Sequence, residues 1–124
     1  MVEVFHKELE IHVTPLEKIK MNPTDISIEL DDSDEKRWRI KISPYQAFKV
    51  TTIDCVDIKP FLIDGKRPLH ILEIFQSNWL DDLKEALKKK DVTADFLDKA
   101  HHYVLPFQDI IVEVVAWKLE LEKL

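Results

Sequence analysis

Three carboxylates stand in runs of apolar, strand-forming residues: Asp54 in Thr-Thr-Ile-Asp-Cys-Val, Glu73 in Leu-His-Ile-Leu-Glu-Ile-Phe, and Glu113 in Ile-Ile-Val-Glu-Val-Val-Ala. Apolar surroundings disfavour an ionised carboxylate, which is how proteins set up general acids and bases. Histidines bracket two of the three. His70 shares the run of Glu73, and His101-His102 open the run that leads to Glu113. If these strands are neighbours, Glu73, Glu113 and either His101 or His102 converge, and a small hydrolase or isomerase becomes an expectation. The plainer reading is that Glu113 marks the polar face of its strand and that His101-His102 hydrogen-bond at a helix-to-strand junction.

Other chemistries find little support. His6, Glu8, Glu10 and His12 alternate along one face of residues 2–13, but same-face residues on a strand lie about 7 Å apart, so His6 and His12 would be about 20 Å apart and cannot share a metal ion. The run Asp31-Asp32-Ser33-Asp34-Glu35 has the oxygens of a calcium loop but not its turn glycine or its later bidentate glutamate. It reads as an acidic hairpin loop. Glycine occurs once in 124 residues, at Gly65. Phosphate-cradling loops, dinucleotide fingerprints and nucleophile elbows each require several, so no cofactor is expected. Cys55 has no partner for a disulfide. Its apolar neighbours predict a buried thiol, and with no cation nearby a Cys–His nucleophile is disfavoured.

The elements that must place these side chains follow from hydrophobic periodicity. Residues 2–13 alternate as a strand. Thr14-Pro15-Leu16-Glu17 has the pattern of a helix start, with Thr as cap and Pro in the first turn. Strands are predicted at 26–30, at 37–43 and at 47–56, with Pro44-Tyr45-Gln46 as the turn between the last two. Residues 57–68 are irregular around Asp64-Gly65. A strand at 69–76 leads to Ser77, which caps the clearest helix, with Leu80, Leu83 and Leu87 as its stripe. Thr93 precedes a short second helix at 94–100. Residues 101–119 form a hairpin whose second arm is apolar on both faces, so it should be the central strand. Helices grouped before this hairpin, with short connections elsewhere, give an α+β class: a mainly antiparallel sheet of six or seven strands, two helices packing on one face, and a single domain over residues 1–124.

Residues 77–116 carry, in order, Ser-Asn-Trp-Leu, a helix, His-His-Tyr, a strand ending at Asp109, and Ile-Val-Glu-Val-Val-Ala. This resembles the C-terminal part of small bacterial α+β proteins, some of which are assigned as immunity proteins of polymorphic toxin systems. Trp38-Arg39-Ile40-Lys41-Ile42 is similar to the aromatic strand near their N-terminus. The resemblance implies a protein that binds a toxin and assigns no catalytic residue.

The net charge of −6 fits such a role. It disfavours nucleic acid and anionic membranes and permits a basic protein partner. No apolar run approaches the roughly 20 residues of a membrane span. The acidic start and the single cysteine point to the cytoplasm. The leading expectation is a non-catalytic protein-binding domain facing a basic toxin. The residues expected to bind are Asp31, Asp32, Asp34 and Glu35, Asp64, and Trp117 as an aromatic anchor. An oligomer built through an open sheet face is a third expectation.

Overall fold

The hairpin predicted at the C-terminal end organises the sheet. In the computed structural model, which describes residues 1–124, seven antiparallel strands form one sheet: β1 (Val2–Val4), β2 (Lys18–Met21), β3 (Ile26–Asp31), β4 (Arg37–Thr52), β5 (Leu72–Ile74), β6 (His101–Pro106) and β7 (Ile110–Lys123). Their spatial order is β1-β5-β6-β7-β4-β3-β2, so β7 is the middle strand. Ile111 to Ala116 of β7 are buried without a break, the mark of a strand covered on both faces.

The largest core fills the concave face. Ile26, Ile28 and Leu30 of β3 meet Ile40 and Ile42 of β4, Leu105 of β6, and Val112, Val114 and Ala116 of β7, all fully buried. Each of the isoleucine, leucine and valine side chains among them contributes about 1.5–3 kcal/mol of transfer free energy. The curl is closed by the segment that follows β1. Its Phe5 and Ile11 amides donate to Ile71 and Leu69 beside β5, and its His12 amide donates to Asp31 at the end of β3. Leu9 and Ile11 thereby drop into the core. A smaller cluster lies on the convex face, where Phe61 covers Leu72, Val104 and Ile111.

Several predicted elements differ. Residues 2–13 do not form one strand, because the chain changes partner from β5 to β3 on the way across; Val13 is exposed. No helix starts at Thr14. The Pro15 carbonyl accepts from the Asp31 amide and Leu16 has a φ of 50°, so pairing with β3 overrides the local capping pattern. The strands predicted at 37–43 and 47–56 are one strand of 16 residues, β4. Pro44 is accommodated because β3 stops pairing at Ile42 and the β4–β7 register shifts between Tyr45 and Ala47, which leaves no ladder bond for Pro44 to donate. Asp54 and Cys55 lie in a 3-10 turn, Ile53–Cys55, and both are exposed, so the buried-thiol expectation fails. The strand expected at 69–76 is paired only over β5, Leu72–Ile74.

There is one α-helix rather than two. It is α1, Asn78–Lys90; the second predicted helix is a 3-10 turn, Phe96–Lys99. Ser77 caps α1 as expected, its Oγ accepting from the Leu80 amide at 3.0 Å. None of the residues of α1 is fully buried, and only Leu97 of the 3-10 turn is, so the helical layer lies lightly on the convex face instead of capping the main core. No helix is long and apolar enough to cross a membrane.

The remaining convex surface, across β2, β3, β4 and the end of β7, is charged. Register pairs Lys18 with Glu29, Glu29 with Arg39 and Arg39 with Glu122. Arg39 reaches Glu122 at 3.6 Å and Glu29 at 3.9 Å. Alternating signs in adjacent strands favour each other modestly, and this open face offers charge rather than apolar area to a second copy.

Candidate functional site

The antiparallel register decides which of the candidate acids and histidines can meet. Glu113 of β7 stands opposite Val104 of β6, and His102 stands opposite Val115. His102 and Glu113 are therefore diagonal neighbours on the convex face, a spacing that long side chains bridge. On the other flank of β7, Lys49 of β4 is directly opposite Glu113. Glu73 of β5 pairs with Tyr103 of β6, whose side chain points to the concave face. The four predicted residues thus separate into two pairs on opposite faces. Glu73 Oε2 meets His101 Nδ1 at 2.7 Å, with the His101 ring half in water. Glu113 Oε1 meets His102 Nε2 at 2.9 Å, with both side chains buried. No single cluster of two carboxylates and a histidine forms, His70 joins neither pair, and Glu113 is not the polar-face residue of an exposed strand side.

The buried pair extends in both directions. Ser77 Oγ lies 2.7 Å from His102 Nδ1. Lys49 Nζ lies 3.6 Å from Glu113 Oε2 and 4.2 Å from the centre of the Trp79 ring. That ring stands edge-on to His102 at 5.1 Å between centroids. Ser77, His102 and Glu113 are each only 5% exposed. Buried polar groups are costly unless paired, and here every member has a partner. The chain opens onto a pocket of about 360 Å³ between α1 and the 57–68 loop, with Pro60, Phe61, Ile74, Phe75 and Trp79 among its walls. Ser77 was legible only as a helix cap. Its place beside His102 follows from β5–β6 pairing, which sets Ile74 opposite His102 three residues before the cap.

No protein-family model, no curated protein and no solved structure matches the chain.

The residues expected to bind a partner are scattered. In the β3–β4 hairpin, Asp31 is paired with Arg37 at 3.0 Å. Asp32 is buried and turned inward, accepting from the amides of Asp34 and Lys36 at 2.9 Å and from Trp38 Nε1 at 2.8 Å. Burial pushes its carboxyl up, but these three hydrogen bonds and the nearby Lys123 charge outweigh burial and hold it below the ordinary aspartate range. Asp32 is a structural residue of the loop. Asp34 and Glu35 remain exposed, and Glu35, with Asp31 and His12, borders an open cleft of about 460 Å³. Asp64 sits with Gly65 at the tip of a tight turn closed by Ile63 and Lys66, both tip residues having positive φ. Trp117 is partly buried. Its Nε1 donates to the Phe96 carbonyl at 3.0 Å, and Lys99 Nζ lies 4.9 Å from its ring centre.

Proposed function

We propose that the protein is a protein-binding domain that docks a basic partner on the surface formed by Trp117 and the Phe96–Lys99 turn, and that the partner is a toxin whose activity it blocks. The observation that carries this reading is the aromatic pair itself. Phe96 is 41% exposed although it belongs to an ordered turn, and the partly buried Trp117 is tied to the backbone of that turn by its indole hydrogen bond. Asp95 and Asp98 belong to the same turn as Phe96, and neither is engaged in an ion pair. A rigid aromatic centre with a charged rim is the usual form of an interface hot spot. Lys99 Nζ over the Trp117 ring shows that this indole face accepts a cation, and a partner's arginine or lysine would displace Lys99 to stack there. The free acids Asp34, Glu35 and Asp64 add to the negative field that would steer a basic partner. The resemblance of residues 77–116 to toxin immunity proteins supports the same reading.

The test is binding to the product of the reading frame directly upstream of this gene, at low and high salt. Trp117→Ala and Phe96→Ala should each weaken binding by at least about 1–2 kcal/mol, while acid-to-amide changes at Asp95 and Asp98 should slow association and reduce its salt dependence. Full toxicity of that product in the presence of the protein would end the immunity reading.

A further inference from the structure

The Ser77–His102–Glu113 chain is continuous, Ser77 Oγ lying 2.7 Å from His102 Nδ1 and His102 Nε2 lying 2.9 Å from Glu113 Oε1. A carboxylate only accepts, so His102 Nε2 must carry the proton shared with Glu113. Assigning His102 as the neutral imidazole leaves a lone pair at Nδ1, to which the Ser77 hydroxyl, 2.7 Å away, can donate. The Leu80 amide donates to the same Oγ. The result is a hydroxyl poised to lose its proton to an imidazole whose other nitrogen is held by a buried carboxylate, the arrangement that activates a serine nucleophile. Lys49 keeps its ammonium on the outer oxygen of Glu113.

Two further features meet at this serine. The amides of Asn78 and Trp79, the first two of the 13-residue helix α1, have no acceptor in the protein, and they lie at the helix end that Ser77 caps. Free amides at a helix start are suited to stabilise an oxyanion. Gln76, immediately before Ser77, has a φ of 57°. A left-handed non-glycine residue is strained and is retained where the surrounding structure needs a particular turn.

We infer that Ser77, His102 and Glu113 form a hydrolytic centre for short, uncharged carboxylic esters, an activity separate from partner binding at Trp117. The substrate class follows from the pocket. Its walls at Pro60, Phe61, Ile74 and Phe75 are apolar, its volume of about 360 Å³ suits a short acyl group, and the two cations beside it are engaged, the Met1 ammonium with the Phe75 carbonyl and the Lys49 ammonium with Glu113. Ser77 Oγ bonds to the ester carbonyl carbon while its proton passes to His102 Nδ1. The carbonyl electrons move onto oxygen, where the Asn78 and Trp79 amides stabilise them. Collapse breaks the carbon–alkoxy bond, and His102 returns the proton to the leaving alkoxide. Water then attacks the acyl-serine, giving a proton to His102, and His102 passes that proton to Ser77 Oγ as the acyl carbon–Oγ bond breaks and the carboxylic acid departs.

The experiment combines turnover of p-nitrophenyl butyrate with labelling by a fluorophosphonate, the labelled residue being located by peptide mass spectrometry. Ser77→Asn is the informative variant, because asparagine caps a helix as well as serine does but cannot act as this nucleophile. The wild type should label at Ser77 or turn over the ester, and Ser77→Asn should lose both signals with unchanged far-ultraviolet circular dichroism. Glu113→Gln, which keeps a hydrogen-bond acceptor for His102, should lower turnover by about 100-fold or more. A wild type with neither labelling nor turnover above that of free imidazole overturns the assignment, as does a Ser77→Asn variant that retains its rate.

Discussion

Replacing Asp32 separates the two roles an acidic loop residue can have, contact with a partner and support of its own loop. Its carboxylate accepts three hydrogen bonds, from two loop amides and from the buried indole of Trp38. In Asp32→Ala the indole N–H is left in the core without an acceptor, costing about 2 kcal/mol, and the two amides, which water can reach, lose about 0.5–1 kcal/mol each. The sum is about 3–4 kcal/mol, or about 10–15 °C in Tm for a chain of this length. Asp32→Asn keeps one oxygen for the amides but turns an N–H toward the indole N–H, so it should cost about 1–2 kcal/mol. Urea denaturation followed by circular dichroism reads both. The pH dependence supplies a second check. The Asp32 carboxyl is held below its ordinary value of 3.8 in the folded state, so its stabilising contribution is complete above that value and is lost as the pH falls through the depressed folded pKa. The advantage of wild type over Asp32→Asn should therefore shrink as the pH is taken below about 4. If Asp32→Ala stays within about 1 kcal/mol of wild type, or if the advantage does not change in acid, the residue does not hold the loop as described.

Phe107 is 1% exposed in the main core, so Phe107→Ala should lose about 3–5 kcal/mol in urea denaturation. Val92, 79% exposed, should tolerate alanine within about 0.5 kcal/mol in the same assay. Burial, and after it the Glu73 charge, push the Tyr103 phenol up to about 12. The neutral phenol therefore contributes stability below pH 10 that is lost as the pH rises toward 12, and difference absorbance should show a late ionisation step that disappears in Tyr103→Phe.

The strands with clean alternation were readable from the sequence. Ile26, Ile28 and Leu30, and Trp38, Ile40 and Ile42, face the core as their spacing requires, and the two-faced burial of β7 announced a central strand. What failed did so where a distant partner decided the conformation. Thr14 to Glu17 has a capping pattern but gives its bonds to β3, and Pro44 looks like a breaker but falls where β4 has no bond to lose. The site was half visible. The types and spacing of His102 and Glu113 marked them, but only the β6–β7 register shows that His102 rather than His101 reaches Glu113, and only β5–β6 pairing brings Ser77 alongside. The acidic loop misled because composition does not distinguish an exposed carboxylate from Asp32, which turns inward.

The central position of β7 bears on how the chain must fold. β7 leaves the ribosome after all six strands it is sorted among, yet it is the only link between β6 and the long β4. Until residues 110–123 are free, those two strands keep unpaired edges, and the core cannot close around Val112, Val114 and Ala116. Folding is then a late event that joins parts distant in sequence, the kind that proceeds slowly and leaves strand edges open to the wrong partner.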